Sequence, residues 1–353
     1  MKIAVVGGGI SGLAAAYRLR RAGHEAVVLE ADARLGGKVQ SERDGDWLVE
    51  HGPNGFLDSR VAVVRLARDV GLGDRLAPAE EAAERRYLVV DGRLKAVPTS
   101  PPAFLASDVL SARGKLRMLR EPLVPPRKVA GDESVYRFAA RRVGAEAAEK
   151  LVDPLVTGIY AGDVHRLSLP AAFPRLRALE AEHGGLVRGM VAKVWGRVRG
   201  EAGDGAGPSG PGGRLTSFPG GMGELVAAVA GAMERGAVQV GRPVTGLSRK
   251  GGRWVVAAGG GDPLVVDGVV LTAPAPVVAR LLAPHAPGAT GALDEIPYAA
   301  AAVVALGYRV VDIPRPLDGF GFLVPSREGR RVLGVLWSST IFRGRAPGGY
   351  ALL

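Results

Sequence analysis

The apolar positions of this chain open behind Lys2 as an unbroken run that ends at Val6, recur at Ile10, Leu13, Ala14 and Tyr17, and close into a second run at 26–29. The two runs read as buried strands, and the spacing between them is helical. A strand–helix–strand unit is predicted. Further along, residues 38–43 and 47–50 flank Asp44-Gly45, and 86–90 and 93–97 flank Asp91-Gly92, so two hairpins are expected. Asp58 or Ser59 is placed to cap a helix that runs to Val70 and stops at Gly71. Phe218-Pro219-Gly220-Gly221-Met222 opens a helix ending near Arg235-Gly236. Strands at 244–249, 253–257 and 264–266 are expected to form an antiparallel meander, followed by an apolar strand at 269–272 that Ala273-Pro274 ends. Residues 299–308 and 320–337 read as strand-rich, and no closing helix pattern follows Pro347-Gly348-Gly349. No internal repeat is visible.

From Pro98 the texture changes. Pro101-Pro102 and Pro125-Pro126 bound a basic amphipathic stretch in which Arg113, Lys115, Arg117 and Arg120 lie among Phe104, Leu105, Leu116, Met118 and Leu119. This predicts an inserted helical region, one face of which suits an anionic membrane surface or packing on its own protein. Residues 200–213 form a Gly/Pro/Ser linker expected to lie outside any core. At 353 residues and 47% hydrophobic content the chain holds two or three folding units. No apolar run reaches the roughly 18 residues of a membrane span without charge or glycine interruption. A secretory signal is not expected either: glycines break the first apolar stretch, and Arg18, Arg20 and Arg21 stand where a cleavage region would be.

The net charge of +11 and pI near 10.2 call for an anionic partner. No helix-turn-helix, RNP, zinc-finger or aromatic-interleaved basic pattern is present, so nucleic acid is not that partner. The absence of cysteine removes disulfides, thiolate nucleophiles, and zinc or iron–sulfur ligation by cysteine, which fits a cytoplasmic protein.

The chemistry begins where the first strand ends, at Gly7-Gly8-Gly9-Ile10-Ser11-Gly12. Gly7 permits the tight turn, Gly9 lets backbone N–H groups approach a pyrophosphate, and Gly12 lets the helix pack close to the sheet, so phosphates meet the positive end of the helix dipole. The second strand ends in Glu30, roughly 20 residues on, placed to accept hydrogen bonds from a ribose diol. Ser11 belongs to this cradle; no G-x-S-x-G elbow makes it a nucleophile. Directly after Glu30, Arg34-Leu35-Gly36-Gly37-Lys38 offers another close backbone approach, with two cations able to flank a diphosphate. The five histidines, His24, His51, His165, His183 and His285, show no metal spacing, and no metal is expected. His51 has the best claim to proximity, and no catalytic base is assigned.

The segment at 34–38 resembles the two-glycine motif of FAD-dependent amine oxidases, phytoene desaturases and protoporphyrinogen oxidases. Three further stretches are similar to the protoporphyrinogen oxidase family in its broad sense, which includes coproporphyrinogen oxidases of heme biosynthesis. Glu50-His51-Gly52-Pro53-Asn54-Gly55-Phe56 resembles its G-P-x-x-F segment, residues 153–163 its G-[IV]-[YF]-A-G-[DN] signature, and residues 318–325 its G-F-G-x-L-V-P strand. The resemblance implies an α/β, Rossmann-like two-dinucleotide-binding-domain flavoprotein with a helical insertion and a β-rich substrate domain. It divides the chain into an FAD-binding part (1–77 and 214–283), a helical membrane-binding-like insertion (93–199), a substrate part (78–92 and 284–353) and the linker at 200–213.

Position by position, the resemblance implies FAD contacts by Gly7, Gly8, Gly9, Ile10, Ser11, Gly12, Glu30, Arg34, Gly36, Gly37, Lys38, Gly52, Pro53, Asn54, Gly55 and Val244. It implies substrate contacts by Arg86, on a propionate, and by Gly158. Taken without the family, Arg86 reads as a solvated hairpin arginine. The implied activity is six-electron oxidation of protoporphyrinogen IX or coproporphyrinogen III to the porphyrin, with oxygen or another acceptor reoxidising the flavin, in the cytoplasm and at the membrane periphery. Asn54 stands where the mitochondrial enzymes carry arginine. The family's closing G-N-x-x-x-G-[VI] segment is unmatched, so a truncated chain is expected. Two other readings stay open: an amine oxidase or carotenoid desaturase, against which residues 158–163 speak, and an inactive fragment that binds a partner without FAD.

Overall fold

β1 (Lys2–Val6), α1 (Ile10–Arg21) and β2 (Glu25–Leu29) form the expected opening unit of this computed structural model, which describes residues 1–127, 131–198 and 213–353. β1 pairs in parallel with β2, from Lys2 opposite Glu25 to Val6 opposite Leu29, and on its other side with strand Gly268–Leu271. Strand Val238–Gln239 joins outside β2, completing a four-stranded parallel sheet. Both faces are covered, which is why these strands read as continuous apolar runs. Val5 and Val28 meet α1 and helix Gly223–Gly231 through Leu13, Ala16, Leu225 and Val229. The alternate residues Ala4, Val6, Val27 and Leu29 meet the antiparallel meander of Val244–Lys250, Arg253–Ala258 and Leu264–Val266 through Leu247, Val256 and Val266.

The hairpin β3 (Ser41–Asp44) and β4 (Trp47–Glu50) has Asp44 opposite Trp47, so its turn is Gly45-Asp46 rather than Asp44-Gly45. β3 starts later than expected because residues 36–39 are spent on a turn, closed by Val39 N–H on the Gly36 carbonyl at 3.0 Å. At the second hairpin Asp91 and Gly92 both take positive φ, 52° and 73°, as a two-residue type I′ turn requires. Helix α2 (Val61–Asp69) departs from expectation at its start: its N-cap is Arg60, and neither Asp58 nor Ser59 caps it. The Asp58 carboxylate accepts from Arg214 N–H at 2.8 Å instead, where strand Leu215–Ser217 crosses Phe56–Leu57. The helix expected from Phe218 begins only at Gly223, since Gly221 sits at φ +90°, and ends at Gly231.

Residues 101–198, where described, form helices joined by loops and have their own core of Val135, Phe138, Val156, Val164 and Leu169. Arg142 is fully buried there, its Nε donating to Glu121 Oε1 at 2.7 Å, while Glu121 also accepts from Leu186 and Val187 N–H at the start of helix Leu186–Val198. The basic cluster is only half a surface. Lys115 donates to the Leu105 carbonyl at 2.7 Å and Arg117 to that of Arg141 at 2.6 Å, leaving Arg113 and Arg120 exposed. The expected linker at 200–213, apart from Gly213, lies outside the described residues.

A further sheet has the order Gly334–Leu336, Gly321–Leu323, Tyr87–Val90, Arg93–Ala96. The strand expected over 299–308 is not found as such. Residues 299–306 are exposed and irregular, and only Gly307–Arg309 is a strand, paired with an unanticipated strand Tyr350–Leu352. An apolar run becomes a strand only where a neighbouring edge takes up its backbone groups.

Candidate functional site

Four glycines take three different roles where β1 ends. Gly7, at φ +109°, makes the turn, with its N–H on the Leu29 carbonyl at 2.9 Å. A Cβ on Gly12 would stand 1.9 Å from the Gly7 carbonyl oxygen, and one on Gly8 would stand 2.8 Å from Glu30 Cβ and Leu35 Cδ2. Those glycines answer to packing. Gly9 does not: a Cβ there would find its nearest atoms 4.0 Å away, at Gly36 and Gly37. The space over Gly9 opens toward Gly36 and Gly37 at the N-terminus of α1, and no side chain caps that helix. Ile10 packs into the core beneath, and Ser11 is exposed. An open helix N-terminus beside a glycine that no protein atom requires fits the phosphates of a dinucleotide.

Glu30 is half-buried and organised from both sides, its Oε2 accepting from Gly8 N–H at 2.5 Å and its Oε1 from Asp32 N–H at 2.8 Å. An ionised carboxylate keeps further lone pairs for hydroxyl donors. Arg242 N–H donates to the Glu30 carbonyl at 2.7 Å, which brings the start of the meander, and so Val244, to this end of the sheet.

The second glycine turn lies against the first. Gly36 N–H donates to the Gly8 carbonyl at 2.9 Å, and Gly36 and Gly37 take φ of 103° and 58°. Arg34 turns back on this loop, donating to the Gly37 carbonyl at 2.9 Å, while Lys38 is exposed. The third turn rests on the second: a Cβ on Gly52 would stand 1.9 Å from the Lys38 carbonyl oxygen, and one on Gly55 would stand 2.6 Å from that of Thr216. Pro53 is exposed and Asn54 half-buried. His51 is exposed and its Nε2 pairs with Glu42 at 2.6 Å. Gly9, Gly36, Gly37 and Gly52 thus form a continuous seam of backbone bare of side chains, the surface a long diphosphate-bridged ligand needs for close approach.

Arg86 and Gly158 both lie against the stretch 320–323. The Arg86 guanidinium stands 5.5 Å from the Phe320 ring centroid, and among the described residues no carboxylate pairs with it. Arg85 beside it is committed, forming an ion pair with Asp318, whose carboxyl is held below its ordinary range by the Tyr87 hydroxyl at 2.7 Å and by Arg85. Gly158 lies in helix Asp153–Tyr160, where a Cβ would stand 2.7 Å from Leu323 Cδ2. Asp153 latches that helix to the sheet, accepting from Ser326 N–H at 2.7 Å and Ser326 Oγ at 3.0 Å. Phe320 shares a cluster with Leu215, whose side chain lies against Gly55. A cleft of about 920 Å³ runs between strand Arg93–Ala96 and helix Pro101–Ala106; Lys95 and Asp108 line it, but neither Arg86 nor Gly158 does.

Sequence reasoning missed Asp153 as a latch, and it missed Glu50 and Arg345, a buried ion pair beneath the seam. Asp153 and Glu50 lie inside motifs whose glycines drew attention first. Arg345 gave no signal beyond one more arginine in an arginine-rich chain.

The model of one protein family, described as flavin containing amine oxidoreductase, matches residues 10–353. The chain is 30% identical to the coproporphyrinogen III oxidase of Bacillus subtilis, an alignment covering 99% of this chain and 76% of that protein. It is 34% identical to the protoporphyrinogen oxidase of Bos taurus, over 98% of this chain and 75% of the relative. A solved structure from Exiguobacterium sp. 255-15, provisionally named a protoporphyrinogen oxidase, superposes with a TM-score of 0.79 at 26% identity, over 99% of this chain and 75% of that one.

Proposed function

Because the chain belongs to the flavin containing amine oxidoreductase family, we propose that it is an FAD-dependent oxidase that converts a porphyrinogen to its porphyrin in heme biosynthesis. The observation that supports the cofactor assignment is the bare backbone seam, with room at Gly9 for the close approach of a ligand. The names and full-chain similarity of the relatives support the substrate class.

In this reading Gly9 and the N-terminus of α1 hold the pyrophosphate, Glu30 accepts from a ribose diol, and the turns at 36–38 and 52–55 lie along the cofactor. Bound FAD supplies two-electron oxidation, repeated three times to remove six electrons and six protons, with oxygen as the acceptor. The chain binds and orients. Arg86, free of any carboxylate partner in the described residues, pairs with a propionate of the substrate, and Gly158, whose missing side chain lets Leu323 pack against its helix, lines the pocket. Residues 1–77 and 214–283 serve the cofactor, and 78–92 and 284–353 the substrate.

Within 93–199, Leu116, Leu119 and Leu123 stand more than half exposed beside Arg113 and Arg120, which supports peripheral contact with an anionic membrane. Among the described residues no helix is long and apolar enough to cross one.

The test is appearance of porphyrin fluorescence when the purified chain, supplied with FAD, meets coproporphyrinogen III or protoporphyrinogen IX in air. Turnover of one or both is expected. Failure with both, together with turnover of an amine or a carotene, would contradict the reading.

A further inference from the structure

The buried ion pair beneath the seam has no part in the assignments above. Arg345 and Glu50 lie far apart in sequence, and both side chains are about 1% exposed. Arg345 Nη1 donates to Glu50 Oε1 at 2.9 Å, and its Nη2 donates to Ser217 Oγ at 2.9 Å. Glu50 Oε1 also accepts from Met222 N–H at 2.8 Å, while its Oε2 accepts from Ser41 Oγ at 2.6 Å. Ser41 Oγ in turn accepts from Gly223 N–H at 2.8 Å. Every polar atom of the carboxylate is engaged.

What this network joins is specific. Glu50 ends β4 and leads straight into the turn at 52–55. Ser217 follows Thr216, whose carbonyl faces Gly55. Met222 and Gly223 begin the helix whose Val226 side chain lies 3.3 Å from where a Cβ on Gly36 would be. Two turns of the seam, at 36–37 and at 52–55, are therefore each tied to the same buried charge pair, the first through the start of helix Gly223–Gly231 and the second through the end of β4 and strand Leu215–Ser217. A buried pair is weak evidence for stability, because desolvation opposes the Coulombic gain, but its geometry fixes whatever it touches.

We propose that Glu50 and Arg345 are positioning residues that set the turn at 52–55 against the turn at 36–37, and that they govern how tightly the seam holds FAD. This rests on the flavin reading of the seam. Removing either partner leaves the other buried and unpaired, so the local backbone shifts to readmit water and the two turns lose register. Arg142, equally buried and paired with Glu121 in the helical region, is the matched control.

The experiment is a fluorescence titration of FAD into the full chain, well below its unfolding midpoint, for wild type, Glu50→Gln, Arg345→Met and Arg142→Met. All three substitutions are expected to lower thermal stability, but only the first two are expected to weaken FAD binding, by about tenfold or more. FAD affinity within twofold of wild type in Glu50→Gln and Arg345→Met, or an equal loss in Arg142→Met, would overturn the proposal. Should the variants not fold, amide hydrogen exchange of the wild type decides: FAD is expected to slow exchange at Met222 and Gly223. Slowing confined to 36–38 and 52–55 would refute the positioning role alone, whereas a wild type that binds no FAD would remove the flavin reading with it.

Discussion

Gly9 and Gly12 look alike in the sequence and part company in the structure. Gly12 is held by packing, so Gly12→Ala is expected to cost about 1–3 kcal/mol of stability without any cofactor, read by denaturant unfolding. Gly9→Ala is expected to leave that stability near wild type, while Gly9→Asp abolishes FAD binding by placing a carboxylate where phosphates belong. Equal destabilisation by both alanines would mean that Gly9 is another packing glycine. For Arg86, Arg86→Ala is expected to raise KM for the porphyrinogen roughly tenfold at unchanged flavin content, and Arg86→Lys to recover only part of it, since a point charge lacks the planar fork. An unchanged KM in both would return Arg86 to a solvated hairpin arginine and move the anchor to Arg93, because Lys95 is already paired with Asp108 at 2.8 Å. The cradle was legible because its residues are neighbours in sequence. Arg345 was not, since nothing local marks which of many arginines will be buried against a carboxylate from the opening part of the chain.

At the scale of elements, the strands buried on both faces and the type I′ hairpin at Asp91-Gly92 were readable from their apolar runs and turn residues. Asp44-Gly45, by contrast, misplaced its turn by one residue, and the apolar run at 299–306 found no strand to pair with. The cap of α2 was misread since Asp58 had a better donor across the sheet in Arg214. A true cap sits at Ser111, whose Oγ accepts from Gly114 N–H at 3.0 Å and donates to Glu146 Oε2 at 2.6 Å. Burial works against ionised Glu146, yet the Ser111 hydroxyl and N–H, with Lys150, bring its carboxyl down to about 2. A depressed folded pKa means that this stabilisation is complete above the unfolded value of 4.5 and is lost as pH falls toward 2. Glu146→Gln is therefore expected to lower the melting temperature at neutral pH and to flatten its decline between those limits. Parallel curves for wild type and variant through that window would show that the carboxylate is not linked to folding.

Taken whole, the molecule carries its excess positive charge on a fold whose apolar surface is not fully covered. If Leu119 and Leu123 meet a bilayer beside Arg113 and Arg120, the chain co-sediments with anionic vesicles at low salt, and Leu119→Asp with Leu123→Asp releases it. Equal retention on neutral vesicles would deny the electrostatic part. The central claim, however, is that a porphyrinogen delivers its electrons to FAD seated on this chain. It is tested most directly by anaerobic titration of the FAD-loaded chain, watching the visible flavin band. The account predicts that coproporphyrinogen III or protoporphyrinogen IX bleaches the band with three flavins reduced per porphyrinogen consumed, and that air restores it. A band that persists against both porphyrinogens, yet is bleached by a primary amine or a carotene, would contradict it.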